Sequence, residues 1–376
     1  MILNKIIYTI TFHRANNYGA MLQAYALQKC LLKNNYKTLL LDYDNKNISN
    51  PYKIIPNLNK NIVKDLFIIL KNIPFVIKNF KKSMKFNKFR KSLYMSKYFD
   101  DEKEFKNNYI NNSIYIVGSD QVWNPKWTGG IDDIYTLNFG NNDIKRISYA
   151  ASSGGIEQIQ KYEKEFVSRM NRFDYISVRE KKLKNYLSKF LTKDVSTVID
   201  PSLLLTKGEW ISFAGEKRII NDKYIFTYEA GNPNEKYYDV INELAKKTGY
   251  KIVYFGKHDL KNKYKCKKVC VYSSGPIEWV NLLLNAEYVV TTSFHGTALS
   301  TVLNKKMFIV LSTLPDRITT LLNITNLSNR IVNTIDDVEK MLNSEIDWAS
   351  VNKKIEYERN KSIKWIYNAI ESDKDE

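Results

Sequence analysis

Short apolar runs alternate with amphipathic stretches along most of this chain. In the first half, runs of strand length fall at 6–11, 37–41, 113–117, 146–151, 175–178 and 195–199. A stretch with helical apolar spacing, 18–32, lies between the first two runs. Runs that end in polar or glycine-rich turns and then enter helices are typical of βα units. The pattern therefore predicts a largely parallel sheet.

The alternation stops between Thr206 and Asp222 and then restarts. The segment KGEWISFAGEKRIIND has no clear period, and we interpret it as a linker. Beyond it, the pattern predicts helices at 235–248, 277–286 and 297–303, and strands at 224–228, 251–255, 269–272, 288–291 and 307–310. With 376 residues, the chain is long enough for two cores. We therefore predict an α/β protein with two Rossmann-like domains and mostly parallel sheets.

The domain boundaries follow from this pattern. We expect an N-terminal domain at 1–206, with a basic insertion at 53–97, and a C-terminal domain at 207–346. The last segment, 347–376, has the spacing of a single polar helix. We expect this helix to pack back on the N-terminal domain.

The insertion departs from the alternation. Residues 53–97 contain twelve Lys or Arg and one acid, Asp65, with Leu, Ile and Phe interleaved. This pattern is typical of a basic amphipathic helix on an anionic membrane surface. An ordinary helical insertion with its lysines in water fits the same residues equally well, and Pro74 would kink either helix. Nothing resembles a zinc finger, a basic zipper or an aromatic RNA-binding motif, so we expect no nucleic-acid partner.

The net charge and the cysteines indicate which partners and which cellular compartment to expect. A net charge of +18, from 58 Lys and Arg against 40 Asp and Glu, favours anionic partners. We find no secretory leader and no run of about 18 apolar residues. The three cysteines have neither zinc nor disulfide spacing. We therefore expect a cytoplasmic protein, peripheral at the inner face of the membrane where the insertion binds lipid.

Polar side chains follow several of the predicted strands. In TFHRANNYGAM, backbone N–H groups near Asn16, Asn17 and Gly19 open a helix and could hold an anion or a sugar hydroxyl. A plain N-cap by one of the asparagines is the simpler explanation. In IVGSDQVWNP, Asp120 could bond a sugar hydroxyl or act as a base, although aspartate is also common in turns.

Two arginines and one histidine complete this set. Arg179 follows the strand at 175–178, where a guanidinium can bind phosphate or carboxylate through two parallel bonds. His295 lies in VTTSFHGTA, where a buried strand turns into a helix, and Arg317 follows in LPDRITTLL. The alternatives are a surface arginine and a core histidine bonded to a carbonyl. Because Asp120, Arg179 and His295 all lie at strand ends, the sequence predicts a site for an anionic, oxygen-rich substrate.

The chain resembles the polysaccharide pyruvyl transferase family from about Phe12 to about Arg330. The resemblance rests on motifs in the family's order and spacing: FHRANNYGAMLQAYALQ, IVGSDQVWNP, SYAAS, ISVRE, VIDPSLLL, TTSFHGTALSTVLNKKMF and DRITTLL. It implies a fold like that of GT-B glycosyltransferases, with two Rossmann-like domains facing a cleft. It also implies transfer of pyruvate from phosphoenolpyruvate onto a sugar, usually as a cyclic ketal, during cell-surface glycan synthesis.

The resemblance implies roles for individual residues. The family's catalytic histidine matches His295, its acidic residue after the glycine-rich strand end matches Asp120, and its arginine after the "SV" strand matches Arg179. We expect His295 and Asp120 to be catalytic. The donor is expected to contact Arg179, Arg317, Ser293 and Gly296, and the acceptor Asn16, Asn17 and Gly19.

One position departs from the family pattern. Ketal-forming members carry arginine two residues before the histidine, and this chain has Ser293 there. Either Arg179, Arg317 or lysines bind phosphoenolpyruvate instead, or the donor differs. A GT-B-like glycosyltransferase with a nucleotide-sugar donor and a non-catalytic scaffold of a glycan-assembly complex are the alternatives. Pyruvyl transfer needs a proton carrier near neutral pH and cations on the donor, so we expect no metal and no other cofactor.

Overall fold

The computed structural model of the protein describes residues 5–53, 73–231, 233–256, 262–313 and 315–372. Contacts within the chain divide it into two compact units. Unit 1 comprises Met1–Tyr52, Arg90–Leu205 and Glu356–Glu376. Unit 2 comprises Lys53–Phe89 and Thr206–Ile355.

Unit 1 contains a seven-stranded parallel sheet in the order β3-β2-β1-β4-β5-β6-β7. Its strands are β1 (Ile7–Ile10), β2 (Thr38–Tyr43), β3 (Met95–Phe99), β4 (Ile114–Val117), β5 (Lys145–Ala151), β6 (Tyr175–Val178) and β7 (Val195–Thr197). The chain leaves β1 toward β2 and leaves β4 in the opposite direction, toward β5. In doubly wound sheets, ligands bind in the crevice at such a switch point, outside the carboxyl ends of the strands.

Unit 2 contains a five-stranded parallel sheet in the order β10-β9-β8-β11-β12. Its strands are β8 (Tyr224–Tyr228), β9 (Lys251–Tyr254), β10 (Lys268–Cys270), β11 (Tyr288–Thr291) and β12 (Lys306–Ile309). Tyr228 lies opposite Thr291 in the register of β8 and β11. These two strands form the switch point of this sheet, because β8 leads to β9 and β11 leads to β12.

Most helices lie between successive strands, and the last ones follow β12. Within the described ranges they are α1 (Tyr18–Lys33), α2 (Lys46–Ser49), α3 (Ile73–Arg90), α4 (Glu102–Asn108), α5 (Pro125–Thr128), α6 (Ile156–Ile159), α7 (Glu163–Met170), α8 (Lys181–Leu187), α9 (Lys207–Ala214), α10 (Glu235–Thr248), α11 (Pro276–Leu284), α12 (Phe294–Val302), α13 (Asp316–Thr325), α14 (Asp336–Leu342) and α15 (Trp348–Glu371). Short 3-10 helices occur at Asn50–Tyr52, Gln160–Tyr162, Pro201–Leu203 and Ser328–Arg330. None of the helices in these ranges is long and apolar enough to cross a membrane.

Each unit has its own apolar core on its sheet. In unit 1, Ile10, Val117 and Val178 are fully buried at the ends of their strands. In unit 2, Ile225 and Val290 are fully buried within β8 and β11. Branched residues in continuous runs suit strands that are covered on both faces, which is why these strands could be predicted from short apolar runs.

The carboxyl-terminal part of α15 packs within unit 1. Arg359 Nε donates to the Leu203 carbonyl over 2.9 Å, and the Ile199 amide donates to Ser362 Oγ over 3.1 Å. The Tyr367 hydroxyl donates to the Cys30 carbonyl over 3.1 Å. These bonds attach the helix to segments that follow β7 and to α1.

Helix α9 occupies part of the segment that the sequence predicts as a linker. Thr206 is its N-cap, and Thr206 and Glu209 form a capping box. The Thr206 amide donates to Glu209 Oε2 over 2.9 Å, and the Glu209 amide donates to Thr206 Oγ1 over 3.3 Å. A threonine followed by glutamate three residues later was the available signal for this helix start.

Among the described residues of the basic stretch, Lys53 and residues 73–89 group with unit 2 and residues 90–97 with unit 1, whereas the sequence placed the whole stretch with the N-terminal domain. Lys85 of α3 pairs with Glu278 over 2.7 Å, and the Phe89 ring lies 5.7 Å from the ring of Phe213. The end of the predicted insertion, from Met95, belongs to strand β3. Residues 54–72 of the stretch lie outside the described residues.

Candidate functional site

His295 lies in the first turn of α12, shortly after β11. Ser293 is the N-cap of α12, and its Oγ accepts a hydrogen bond from the Gly296 amide over 3.4 Å. The Ser293 carbonyl accepts one from Thr297 Oγ1 over 3.0 Å. His295 is 8% exposed, and its ring lies edge-on to the ring of Phe294, with 5.2 Å between their centres. The capped turn therefore fixes the imidazole at the carboxyl end of β11.

Gly296 allows the first turn of α12 to approach the strand closely. A Cβ at this position would lie 2.3 Å from Thr291 Oγ1. That oxygen is itself held, because it donates to the Tyr228 carbonyl over 2.7 Å and accepts from the Ser293 amide over 3.0 Å. Any larger residue at 296 would therefore push away the turn that carries His295.

Arg317 lies on the helix next to this turn. It is the second residue of α13, which packs against α12, and its side chain is half-buried. Unit 2 thus brings Ser293, His295 and Gly296 into one turn and places Arg317 on the adjacent helix.

Glu229 lies at the same edge of this sheet, and no sequence motif pointed to it. It follows β8 directly and is half-buried. Burial raises the pKa of the Glu229 carboxyl to about 7, against the smaller opposing effect of a hydrogen bond from Tyr238. A strongly perturbed carboxyl group at a strand end is a candidate functional residue.

Arg179 lies at the corresponding edge of unit 1 and is 4% exposed. Its Nη1 donates to Asp200 Oδ2 over 2.9 Å, and its Nε donates to Glu180 Oε1 over 3.3 Å. Burial acts to lower the pKa of Arg179, but the carboxylates of Glu180, Asp200 and Asp120 outweigh it, and the pKa is raised. The guanidinium therefore binds carboxylates of its own chain.

Asp120 follows β4 in an unusual backbone conformation. Its φ is +80°, its side chain is half-buried, and its Oδ1 accepts from the Gln121 amide over 2.9 Å. The Asp120 carbonyl accepts from the Ser152 amide over 3.1 Å, which joins the ends of β4 and β5. Such left-handed backbone geometry in a residue other than glycine is often found at functional sites.

The three residues expected to bind the acceptor lie around the start of α1. Asn17 is the N-cap, and its Oδ1 accepts from the Ala20 amide over 3.2 Å, as the simpler interpretation predicted. Asn16 Oδ1 accepts from Arg90 Nη2 over 3.0 Å. Gly19 is buried in the first turn. Both asparagine oxygens thus make bonds within unit 1, and the acceptor-binding roles stay predictions.

His13 forms a buried cluster that the sequence analysis did not single out. Its Nε2 lies 3.0 Å from Asp42 Oδ1 and its Nδ1 lies 3.0 Å from the Thr11 carbonyl. Asp42 also accepts from Arg14 Nε over 2.6 Å. Burial lowers the pKa of His13, and Asp42 opposes this effect. His13 has no exposed surface, and these bonds join the ends of β1 and β2.

A family model of polysaccharide pyruvyl transferases matches residues 17–313, which is more than half of the chain. The chain belongs to the polysaccharide pyruvyl transferase family. The family expected from the sequence motifs is confirmed, and the protein is a transferase whose general activity is polysaccharide pyruvylation, with a glycan as acceptor. No sequence among curated proteins matches this pyruvyl transferase.

Solved structures similar to this pyruvyl transferase include several UDP-GlcNAc 2-epimerases. The enzyme from Methanocaldococcus jannaschii has a TM-score of 0.54 and 12% identity, over 96% of this chain and 99% of that chain. The S. aureus MnaA structure with UDP has a TM-score of 0.55 and 11% identity, over 97% of this chain and 96% of that chain. At such identities the likeness concerns the fold alone, and it confirms the predicted GT-B-like α/β class with parallel sheets.

The geometry also explains what Ser293 does in this pyruvyl transferase. Its hydroxyl oxygen accepts the Gly296 amide bond as the N-cap of α12. An arginine has no acceptor atom and could not make this bond. Serine at this position therefore stabilises the first turn of α12. If the donor is the same as in the ketal-forming members, another residue must supply the cation that their arginine provides.

Proposed function

We propose that this pyruvyl transferase takes pyruvate from phosphoenolpyruvate and transfers it to a sugar of a cell-surface polysaccharide or its lipid-linked precursor. The position of His295 carries the proposal, because a capped turn holds its imidazole at the switch point of the unit 2 sheet. Histidine is the side chain whose ordinary pKa lies nearest neutral pH, which suits it to move protons in this reaction.

The chemistry needs two proton transfers from hydroxyl groups and one to carbon. A proton is added to C3 of the enol, and C2 becomes electron-poor. A sugar hydroxyl oxygen bonds to C2 and loses its proton, and the bond from C2 to the phosphate oxygen breaks. A second hydroxyl closes the ketal at C2. Of the two hydroxyl protons, one replaces the proton taken by C3 and the other leaves with phosphate.

The donor carries a phosphate and a carboxylate, which need cations. Arg317 is our proposed donor-binding residue, since it lies on the helix beside His295 and an arginine can bind an anion through two bonds. The amino-terminal end of α12, with Ser293 and Gly296, adds the positive end of a helix dipole. Arg179, which already binds Asp200 and Glu180, is proposed to order its strand end, and Asp120 is proposed as a catalytic carboxylate.

An exposed face of α3 supports a membrane-bound acceptor. Ile77, Phe80 and Met84 recur at helical spacing on one face and are 50%, 49% and 55% exposed. Lys81 and Lys88 are exposed beside them. Apolar side chains flanked by lysines fit the interface of an anionic bilayer, where the lysines meet the headgroups. We propose that this α3 face brings the enzyme to lipid-linked precursors.

A donor screen tests the proposal. The purified protein would be incubated with phosphoenolpyruvate or with nucleotide sugars and a panel of acceptor glycans. Phosphate release that requires both phosphoenolpyruvate and an acceptor is expected. Consumption of a nucleotide sugar, without any phosphate from phosphoenolpyruvate, would contradict the proposed donor and favour a glycosyltransferase.

A further inference from the structure

Glu229 occupies a position where doubly wound sheets place functional groups. It comes directly after β8, and β8 lies next to β11 at the switch point of the unit 2 sheet. The connections that leave these two strands run in opposite directions, so α10 and α12 begin on opposite sides of the crevice at their carboxyl ends. Glu229 borders this crevice from the strand that neighbours the His295 turn.

Hydrogen bonds tie the segment around Glu229 to the segment that leads to His295. The Tyr228 carbonyl accepts from Thr291 Oγ1 over 2.7 Å and from the Thr292 amide over 3.2 Å. The Ala230 amide donates to Thr292 Oγ1 over 2.7 Å. The residues on both sides of Glu229 are therefore bonded to the residues that precede Ser293, and the two segments form one rigid edge.

The carboxyl group of Glu229 has an unused oxygen. Its Oε2 is buried and makes no hydrogen bond to any described part of the protein. Buried polar atoms are nearly always bonded, and an exception in a native protein calls for an explanation, of which a catalytic role or a bound water or ion is one. A substrate group or a transferable proton would occupy this oxygen.

The surroundings of Glu229 favour the protonated acid. The phenols of Tyr237 and Tyr238 on α10 and of Tyr264 lie near it and are neutral at pH 7. Lys263, whose Nζ lies 5.7 Å from the centre of the Tyr238 ring, pairs with Glu235 over 2.5 Å. Burial consequently raises the pKa of Glu229 to about 7, so that a large share of the carboxyl groups carry a proton at neutral pH.

We infer that Glu229 is a second proton-transfer residue beside His295, an inference that rests on the proposed pyruvyl transfer. The Glu229 acid gives its proton to C3 of phosphoenolpyruvate, and the first sugar hydroxyl gives its proton to His295 as its oxygen bonds to C2. The imidazolium then passes that proton to the departing phosphate. The second hydroxyl closes the ketal and returns a proton to the Glu229 carboxylate, so both residues regain their starting states.

The pH dependence of kcat separates this role from a structural one. Wild-type kcat should fall as pH rises through about 7, because Glu229 loses the proton that C3 needs. Glu229→Gln, which has nearly the same shape, should lower kcat by about 10²–10⁴-fold and lack this alkaline limb. Glu229→Asp should recover part of the rate.

Tyr238→Phe tests the inference even if Glu229→Gln does not fold. The Tyr238 hydrogen bond lowers the pKa of Glu229, so its removal should move the alkaline limb of kcat to higher pH. Suppose that wild type transfers pyruvate. The inference is then overturned, and the proposed function stands, if Glu229→Gln keeps kcat within about threefold and retains the alkaline limb. The same conclusion follows if Tyr238→Phe leaves the alkaline limb in place. If wild type transfers no pyruvate from phosphoenolpyruvate, both are overturned.

Discussion

Arg179 donates a hydrogen bond to Asp200 over 2.9 Å inside the carboxyl edge of unit 1, where the two side chains are 4% and 0% exposed. Ser119 Oγ also donates to Asp200 Oδ2, over 2.7 Å. The pair therefore joins the residues that follow β4, β6 and β7. An arginine that the sequence placed on the donor is, in the folded chain, an ion-pair partner of two carboxylates.

Arg179→Ala is expected to reduce stability more than donor binding. Removing one partner of a buried ion pair leaves an uncompensated charge and costs about 3–5 kcal/mol. Lys97→Ala is a suitable control, because Lys97 pairs with Glu104 at an exposed position where such pairs contribute about 0–1 kcal/mol. Urea unfolding of both variants measures the difference. Equal stability of the two variants, together with a raised donor KM for Arg179→Ala, would show that Arg179 binds the donor.

Arg317→Ala is expected to weaken the donor while leaving the fold intact. Losing hydrogen bonds to a charged group costs about 1.5–3 kcal/mol, which corresponds to a KM about tenfold or more higher. Arg218→Ala is the matched control, since Arg218 is an exposed arginine of the same unit that bonds to Asn285 over 3.0 Å. Unchanged donor KM in Arg317→Ala would shift the anion-binding role to lysines.

Gly296→Ala is expected to damage the His295 turn. The added Cβ would overlap Thr291 Oγ1, and overpacking of this kind costs about 1–3 kcal/mol. Thr291→Ala removes that oxygen, so the double variant should lose less stability than the sum of the single variants. Thermal unfolding of the three variants measures the coupling. Simple additivity would show that the turn moves freely away from β11.

The α3 face is expected to bind anionic vesicles at low salt. Each basic residue near such a surface contributes about 1 kcal/mol, and salt screens this attraction. Phe80→Ser with Lys81→Glu should weaken sedimentation with the vesicles. The control, Tyr357→Ser with Lys353→Glu, makes the same charge reversal and also replaces an exposed aromatic ring by serine on α15, where Tyr357 is 68% exposed. Equal sedimentation of the two double variants would leave α3 as a solvated helix.

The choice of lysines for this experiment depends on the structure. Lys82 lies 4.9 Å from the centre of the Tyr272 ring, and Lys85 pairs with Glu278. Reversing these charges would disturb contacts within unit 2 as well as any contact with lipid. Lys81 and Lys88 are exposed and are therefore the informative positions.

The strands and their polar ends could be predicted because they depend on local patterns. The predicted runs at 175–178, 224–228 and 288–291 coincide with β6, β8 and β11. A strand buried on both faces needs a short continuous apolar run, and such a run can be recognised without knowing what covers it.

Pairings between distant residues could not be predicted in this way. The charge of Arg179 suggested an anionic ligand, but Asp200 belongs to another strand end and meets Arg179 only when the sheet forms. The burial of Glu229 depends on tyrosines from α10 and from the segment after β9. Similarly, the basic pattern of α3 gave no information about the unit on which it packs.

The most direct test of the central claim follows the donor carbon in wild type and in His295→Ala. Phosphoenolpyruvate labelled with carbon-13 at C2 would be incubated with an active acceptor, and the product examined by NMR. We expect a labelled ketal carbon on the glycan, formed in equal amount with phosphate, and a rate at least about 10²-fold lower in His295→Ala with little change in its melting curve. Near-normal ketal formation by His295→Ala, or a wild-type product without labelled carbon, would contradict the account.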